Sequence, residues 1–534
     1  MMRLTLVAAL VALLVTPATA TVYWDSYQGD NRNSGTGQYD AMQTTGAENI
    51  FNFVWQKKAA GAVGATMLAV DDLNVYGCYG WPSGIQALDR FNGGQVFSRG
   101  DMGNDLGTHC VALTSTTLYH AIGGNMYGTP VSGVASYSTA DPGDLPSGRL
   151  MNITPGGDVL GFRWDNTAYA AQDTGGAFVN SFTAATLTFT CFSLPAILEH
   201  STEGTLVVNS GRGDTVKAWY LSTGAEVWSY TGPGGSDGSP SVDSSGNTYV
   251  GLGWGHGNQW AVGLDEDGVE LFRTNLPSVD GFQARFQSAG CLSYDEGTYY
   301  VQTVAFYQEN EQGEQDIADH GQLYAIDTAT GALKWTYDTG SVGWEMGASS
   351  PMATKDGLIF VGNNNGNTIY ALRDAGVNAQ LVATHPTAAS ANMNFSQGPD
   401  GTIYFPGNLA WNVGAGPSGD EDGEPDGSYQ WLWNAIQPVG ASMAGDVDGN
   451  GVVDGLDLTA VLTAWETVPG DPLWNEAADL DDNDVVNGLD LTEVISNWTI
   501  ASAAAPEAAA SASDAKPGRG NAGRATGNVK AKKK

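Results

Sequence analysis

A short apolar strand ending in small or aromatic residues returns eight times along this chain, so the fold is built by repetition rather than as one continuous sheet. The copies are Leu73–Gly77, Leu118–Gly123, Ala168–Ala171, Leu206–Gly211, Thr248–Gly253, Thr298–Val301, Leu358–Gly362 and Thr402–Gly407. A period of roughly 40 to 60 residues is the length of a four-stranded unit with its loops. The composition around the copies is Gly-rich and aromatic, with few charges and no sustained helical periodicity. An all-β propeller of eight blades is the expectation, with seven as the alternative.

A second pattern lies inside the repeat. From Tyr324 to Trp335 a strand ends in Asp327, turns at Thr330 and Gly331, and returns with a large aromatic. Ala218 to Trp228 repeats it with Thr223 and Gly224, and Ala87 to Phe97 and Leu264 to Phe272 are looser copies. Glycine supplies the positive φ of the turn, and the aromatic at fixed distance beyond it can pack between adjacent sheets.

These residues resemble the blade signature of pyrroloquinoline-quinone-type (PQQ-like) propeller repeats. The segment from Trp24 to Gly35, with Gly29, Asp30, Asn33 and Ser34, is similar to one that often opens such propellers. The resemblance covers roughly residues 22 to 440. It implies a ring closed by an N-terminal strand, and pairs the residues near Val22 with the strand around Tyr429–Trp433. Quinone enzymes of this architecture often carry a disulfide between adjacent cysteines; Cys78, Cys110, Cys191 and Cys291 are all far apart. The blade signature describes packing rather than catalysis, so PQQ is not expected as a cofactor.

Near the C-terminus an acidic sentence is written twice. Asp446, Asp448, Asn450, Asp454 and Asp457 stand at positions 1, 3, 5, 9 and 12 of one loop, and Asp479, Asp481, Asn483, Asn487 and Asp490 at the same positions of the next. That is the ligand spacing of an EF-hand-type loop, which surrounds a hard cation with oxygens. Calcium is therefore the expected ligand, at two sites. Each loop runs into i, i+3, i+4, i+7 spacing, namely Leu458, Val461, Leu462 and Trp465, then Leu491, Val494, Ile495 and Trp498. That spacing predicts one amphipathic helix per loop.

The duplicated loop and helix resemble a type I dockerin, a calcium-folded module that docks onto cohesin modules. The resemblance adds the carbonyls of Val452 and Val485 at position 7 and a cohesin-like partner. Position 6 ordinarily needs a positive φ, which suits Gly451 better than Asp484. At positions 10 and 11, where dockerins often present hydroxylic residues, both copies carry glycine and leucine (Gly455, Leu456; Gly488, Leu489). The alternative is that Leu456 and Leu489 are core residues of a calcium-stabilised terminal domain.

The rest of the chain sets the context. Arg3, an apolar run from Leu4 to Val15 and an Ala18–Ala20 cleavage pattern read as a signal peptide, so a secreted or cell-surface protein is expected, with the periplasm as the alternative. No run approaches the length of a membrane span. A formal net charge of −36 argues against nucleic acid as a partner. The 4 cysteines leave disulfides and buried thiols equally open. The 6 histidines, His109, His120, His200, His256, His320 and His385, form no ligand pair.

Two matches, the acidic run Asp420–Asp426 and the tripeptide Arg212–Asp214, read as solvated loop and chance. Trp254, Trp260 and Trp344 are candidates to line a glycan site at the channel mouth, with blade packing as their default role. The Ala/Ser-rich, then basic, tail cannot bury a core and is expected to be disordered.

The domain reading is a signal peptide at 1–20, a propeller at 21–440, a dockerin-like module at 445–499 and a tail at 500–534. Its function is expected to be binding or scaffolding in an extracellular assembly, in a polysaccharide-degrading setting implied by resemblance. The alternatives are a glycan-active hydrolase or lyase, a PQQ-dependent oxidoreductase, and an envelope-assembly scaffold of the outer-membrane propeller kind.

Overall fold

The computed structural model describes most residues between Val22 and Ser496; the stretches of six or more residues outside it are 1–21, 40–50, 61–67, 101–110, 140–150, 184–192, 341–349, 387–393, 409–430, 439–444 and 497–534. The signal-peptide residues, the acidic run at 420–426, the basic tail, Cys110, Cys191, Arg212, Asp214, Trp254 and Trp344 all lie outside the described residues. Contacts divide the chain into two compact units, Met1–Ala441 and Ser442–Lys534.

The first unit is an eight-bladed propeller. Seven antiparallel sheets run in chain order from a short inner strand outward, at residues 69–99, 112–139, 151–183, 196–231, 241–276, 291–340 and 352–386. The eighth joins Ser396–Gln397, Ile403–Asn408 and Trp431–Pro438 to an outer strand from near the N-terminus, Phe51–Lys58. Each of the eight recurring strands falls in a different blade. Seven are second strands, and Ala168–Asp173 is a third. A hairpin, Phe306–Glu309 with Gln315–Ala318, is inserted in the sixth blade and pairs with Gln283–Ala284.

Closure corrects the sequence expectation. Val22–Trp24 pairs with Ala69–Asp71 on the inner edge of the first blade, whereas Phe51–Lys58 pairs with Trp431–Pro438 and closes the ring. Both segments are apolar enough to be strands. What separates them is the closing site: Trp55 buries its ring there and donates from Nε1 to the Arg90 carbonyl of the first blade (2.8 Å). Trp433 donates to Gln86 Oε1 across the same seam (2.8 Å). Arg90 also meets Asp400 of the eighth blade, Nη1 to Oδ2 at 2.8 Å, with both side chains at most 10% exposed.

The turn glycine and its aromatic act between blades, not within one. Gly268 has φ +75°, and a Cβ there would stand 2.5 Å from the ring of Trp228, an outer-strand residue of the preceding blade. Gly331 meets Phe272, Gly133 meets Phe97 and Gly93 meets Trp55 in the same way. The glycine is thus required twice, by its φ and by the aromatic lid over it. Gly268→Ala is expected to destabilise the propeller by about 3 kcal/mol, read as a lower thermal midpoint. Gly376→Ala, with φ +88° but nothing within 4 Å of its Cβ, should cost only the backbone penalty of about 1–2 kcal/mol.

An aspartate one residue beyond the motif position has a role the sequence did not disclose. Asp374 of the seventh blade accepts from Trp335 Nε1 (2.8 Å), Lys334 Nζ (2.7 Å) and Tyr300 Oη (3.0 Å), all of the sixth blade. Burial works to raise its pKa, but these donors outweigh it and hold the carboxyl below the usual range. Asp173 likewise accepts from Tyr119 of the preceding blade (2.9 Å).

Candidate functional site

Two places in the propeller were candidates for chemistry, and the first is its axis. Residues 30–39 run across the inner strands of six of the eight blades. Asn33, fully buried at φ +52°, donates to the carbonyls of Leu194 and Pro240 and accepts from Asn152. Its neighbours continue around the ring: Arg32 O takes Val242 N–H, Ser34 O takes Leu292 N–H, Gly35 and Gly37 bracket Ala353, and Tyr39 exchanges bonds with the Gln397 side chain. The inner edges of these six blades are therefore tied together by the chain itself, through hydrogen bonds that are neutral except where Arg32 meets Glu296. Asn152 and Ser241 of the inner strands, and Asn209 and Ser210 of a second strand, are buried polar residues.

The second candidate, the tryptophan set, is not assembled in the described residues. Trp260 lies on a third strand and packs against the core of the fourth and fifth blades, which removes it from any channel mouth. His200 accepts two backbone N–H groups at Nδ1, from Thr202 (3.1 Å) and Glu203 (3.2 Å), and so shapes a turn. His120 is buried and stacks on Tyr127. Cys291 is a buried thiol whose pKa is pushed up by burial.

The second unit carries the repeated acidic loops. Its helices, α1 (Gly455–Thr463) and α2 (Gly488–Ser496), each begin at loop position 10. Asp457 and Asp490, at position 12, are fully buried in the first turn of each helix. Each reaches back to the start of its loop: Asp457 Oδ1 accepts Val447 N–H and Asp490 Oδ1 accepts Leu480 N–H, both at 2.7 Å. Identical bonds in both copies mean that the duplication in sequence is a duplication in geometry.

The second loop is the better described. Asp479 accepts from the N–H groups of Asn483 (3.1 Å) and Asp484 (2.9 Å), which folds the acidic start of the loop around its own carboxylate. Asp490 Oδ2 accepts Asn487 N–H (2.7 Å), and Asn487 Nδ2 donates to the Val485 carbonyl (2.9 Å). Positions 7, 9 and 12 are thereby held side by side. Asn487 Oδ1 also caps α2 at Leu489 N–H (2.8 Å). Asp484 takes φ +64°, the left-handed conformation that position 6 requires, without a glycine.

Asp446, Asp448, Asn450, Val452, Asp454 and Asp481 lie outside the described residues, and among the described residues no three His, Cys, Asp or Glu side chains converge. The donor set nevertheless fits a hard cation. Residues 442–500 hold 13 Asp and Glu and no Lys, Arg or His, so no side chain of this segment can neutralise the loops.

The helices bury less than their spacing predicts. Val461 and Val494 are fully buried, with Val453, Ala464, Ala478 and Val486, and the loops are tied by Glu466 N–H to Val486 O (2.8 Å). Leu462, Trp465 and Ile495, expected on the core face, are exposed. Nine-residue helices around so small a core bury one valine and one aspartate each and leave the flanking positions more open to solvent. Leu456 and Leu489 are each 61% exposed, which rules out the core role considered for them.

Residues 444–497 match the family model for the dockerin type I domain, and residues 165–398 match one described as outer membrane protein assembly factor BamB. The chain combines PQQ-like propeller repeats with a type I dockerin domain. Among solved structures, the chain is similar to a europium-containing methanol dehydrogenase (TM-score 0.57, 12% identity, covering 79% of this chain and 98% of that one). It is also similar to a quinohemoprotein alcohol dehydrogenase from Comamonas testosteroni (TM-score 0.54, 12% identity, 78% of this chain and 80% of that one). At such identities the likeness shows the propeller fold alone. No curated protein matches the sequence significantly. Among the described residues of the dockerin-bearing chain, no helix is long and apolar enough to cross a membrane.

Proposed function

We propose that this protein is a non-catalytic binding component of an extracellular assembly, exported by its N-terminal signal and held in place by a calcium-folded dockerin. The observation that carries the docking part is the paired exposure of Leu456 and Leu489. Each follows a glycine, Gly455 or Gly488, that has no positive φ and open space around its Cβ. Glycine in a first helical turn destabilises the helix relative to alanine, and an exposed leucine contributes nothing to the core. The module uses this combination twice at equivalent positions, which favours a partner that approaches closely to the helix starts. A cohesin-like module with apolar contacts fits better than one reading hydroxyl groups.

An inner edge stitched by residues 32–39 across six blades and a tryptophan packed into a blade support a scaffold over a channel enzyme. The setting we favour is polysaccharide degradation, with calcium at both loops as the only resident cofactor. The dehydrogenases share the architecture, and at 12% identity that likeness carries no cofactor over to this chain.

The test is calorimetry of the full calcium-loaded chain against a panel of cohesin modules. At least one should bind. Leu456→Asp with Leu489→Asp should then weaken that binding by about 100-fold or more, while calcium uptake and the thermal midpoint stay as in the parent. Loss of neither binding nor heat in the double variant would overturn the assigned surface.

A further inference from the structure

The inner hairpin turn of the third, fifth, seventh and eighth blades places a glycine at one position: Gly157, Gly246, Gly357 and Gly401, with φ of +87°, +84°, +79° and +76°. Each donates its N–H to the residue three positions earlier, in a turn of one geometry. The sixth blade makes the same bond from Glu296 N–H to Ser293 O, and there the positive-φ residue is a glutamate, at φ +58°. A side chain held in this region costs energy that the other blades avoid. What the chain gains by the exchange is a carboxylate at the edge of a pocket.

That pocket has a volume of about 400 Å³ and is lined by Arg32, Thr36, Gln38, Ser244, Tyr294, Asp295 and Glu296. It opens where the axial segment passes the inner turns of the fifth and sixth blades. Glu296 Oε1 takes Arg32 Nη1 at 2.7 Å, and its Oε2 takes the N–H and hydroxyl of Ser244. Burial works to raise Glu296, but Ser244 and Arg32 more than compensate and keep it ionised. Asp30 adds a second carboxylate behind Arg32, Nη2 to Oδ2 at 3.6 Å. Beside these charged groups Tyr294 stands 46% exposed.

We infer that this pocket binds a neutral sugar residue, stacked on Tyr294 and hydrogen-bonded by Arg32, Asp295 and Glu296. Its volume lies in the range of small-molecule sites. One guanidinium among three carboxylates leaves the site net negative, which disfavours phosphates and uronic acids. Carboxylate and guanidinium forks match vicinal hydroxyls, and an exposed aromatic face matches the apolar face of a pyranose. If Glu296 served only to clamp Arg32, an exposed tyrosine and an open polar cavity beside the clamp would have no use.

The experiment titrates the full chain, in calcium, with neutral gluco-, xylo- and manno-hexaoses and with a galacturonic acid hexaose. At least one neutral hexaose should bind, and Tyr294→Ala should weaken it by about tenfold or more with an unchanged thermal midpoint. Glu296→Gly, which restores the residue used by the other blades, should also lose binding and leave the propeller folded. Absence of binding by every neutral hexaose, tighter binding of the galacturonic acid hexaose, or binding that survives both substitutions would each overturn the assignment.

Discussion

Withdrawing divalent cations from the intact protein is expected to unfold residues 442–500 and leave the propeller standing. The segment has 13 carboxylates and no basic side chain, and two of the carboxylates, Asp457 and Asp490, are fully buried. Backbone N–H groups satisfy part of their demand but supply no full charge. A bound cation removes the repulsion and joins positions that the loop already holds together, so binding and folding are linked. On the proposed two-site reading, each site kept at a hundredfold excess over its Kd would contribute about 2.7 kcal/mol, a large share of what so small a module can have.

Chelator should therefore abolish the helical signal of the module and open it to protease, with recovery on adding calcium. Acidification should act in the same direction, because the ligands must be deprotonated to bind. Asp490→Ala should reproduce the chelator effect in saturating calcium, since it removes both the proposed position 12 ligand and the bonds to Leu480 and Asn487. A protease-resistant module in chelator would refute the linkage.

Breaking the ion pair at the ring seam should have the largest effect on the propeller. Arg90 and Asp400 are 2.8 Å apart and almost excluded from water. Arg90→Met would strand Asp400 without its partner, at a cost of about 3–5 kcal/mol. The thermal midpoint of the propeller should fall clearly below that of the parent. Adding Asp400→Leu should recover most of the loss, because a buried pair replaced by apolar groups is often close to neutral. If the double variant were as unstable as the single one, the seam would depend on Arg90 for something other than charge pairing, such as its contact with the Phe91 ring.

The two units were legible in the sequence to different depths. Thr330, Gly331 and Trp335 announced a turn and a packing aromatic because φ and side-chain volume are local properties. That Trp228 lies on Gly268 of the next blade, and that Asp374 gathers Trp335 and other donors from the blade before it, are properties of the ring and leave no local trace. The choice of Phe51–Lys58 over Val22–Trp24 as closing strand was hidden for the same reason. Strand character is written in the sequence, but the partner is decided by Trp55 and Arg90 meeting across the ends of the chain.

In the module the duplication of loop and helix was fully visible, and the left-handed Asp484 follows from the loop once the register is known. Apolar periodicity misled at Leu462, Trp465 and Ile495. It records which side chains avoid charge, and cannot separate a core from a face kept for a partner.

The segment at residues 30–39 carries one more consequence, for how such a ring could change in evolution. Asn33 alone touches three successive blades, and its neighbours reach three more. Adding or deleting a single repeat would alter the radius of the ring and detach this spoke from most of its anchor points at once. Blade number is thereby frozen by ten residues that belong to no blade, while the outer loops remain at liberty to diverge.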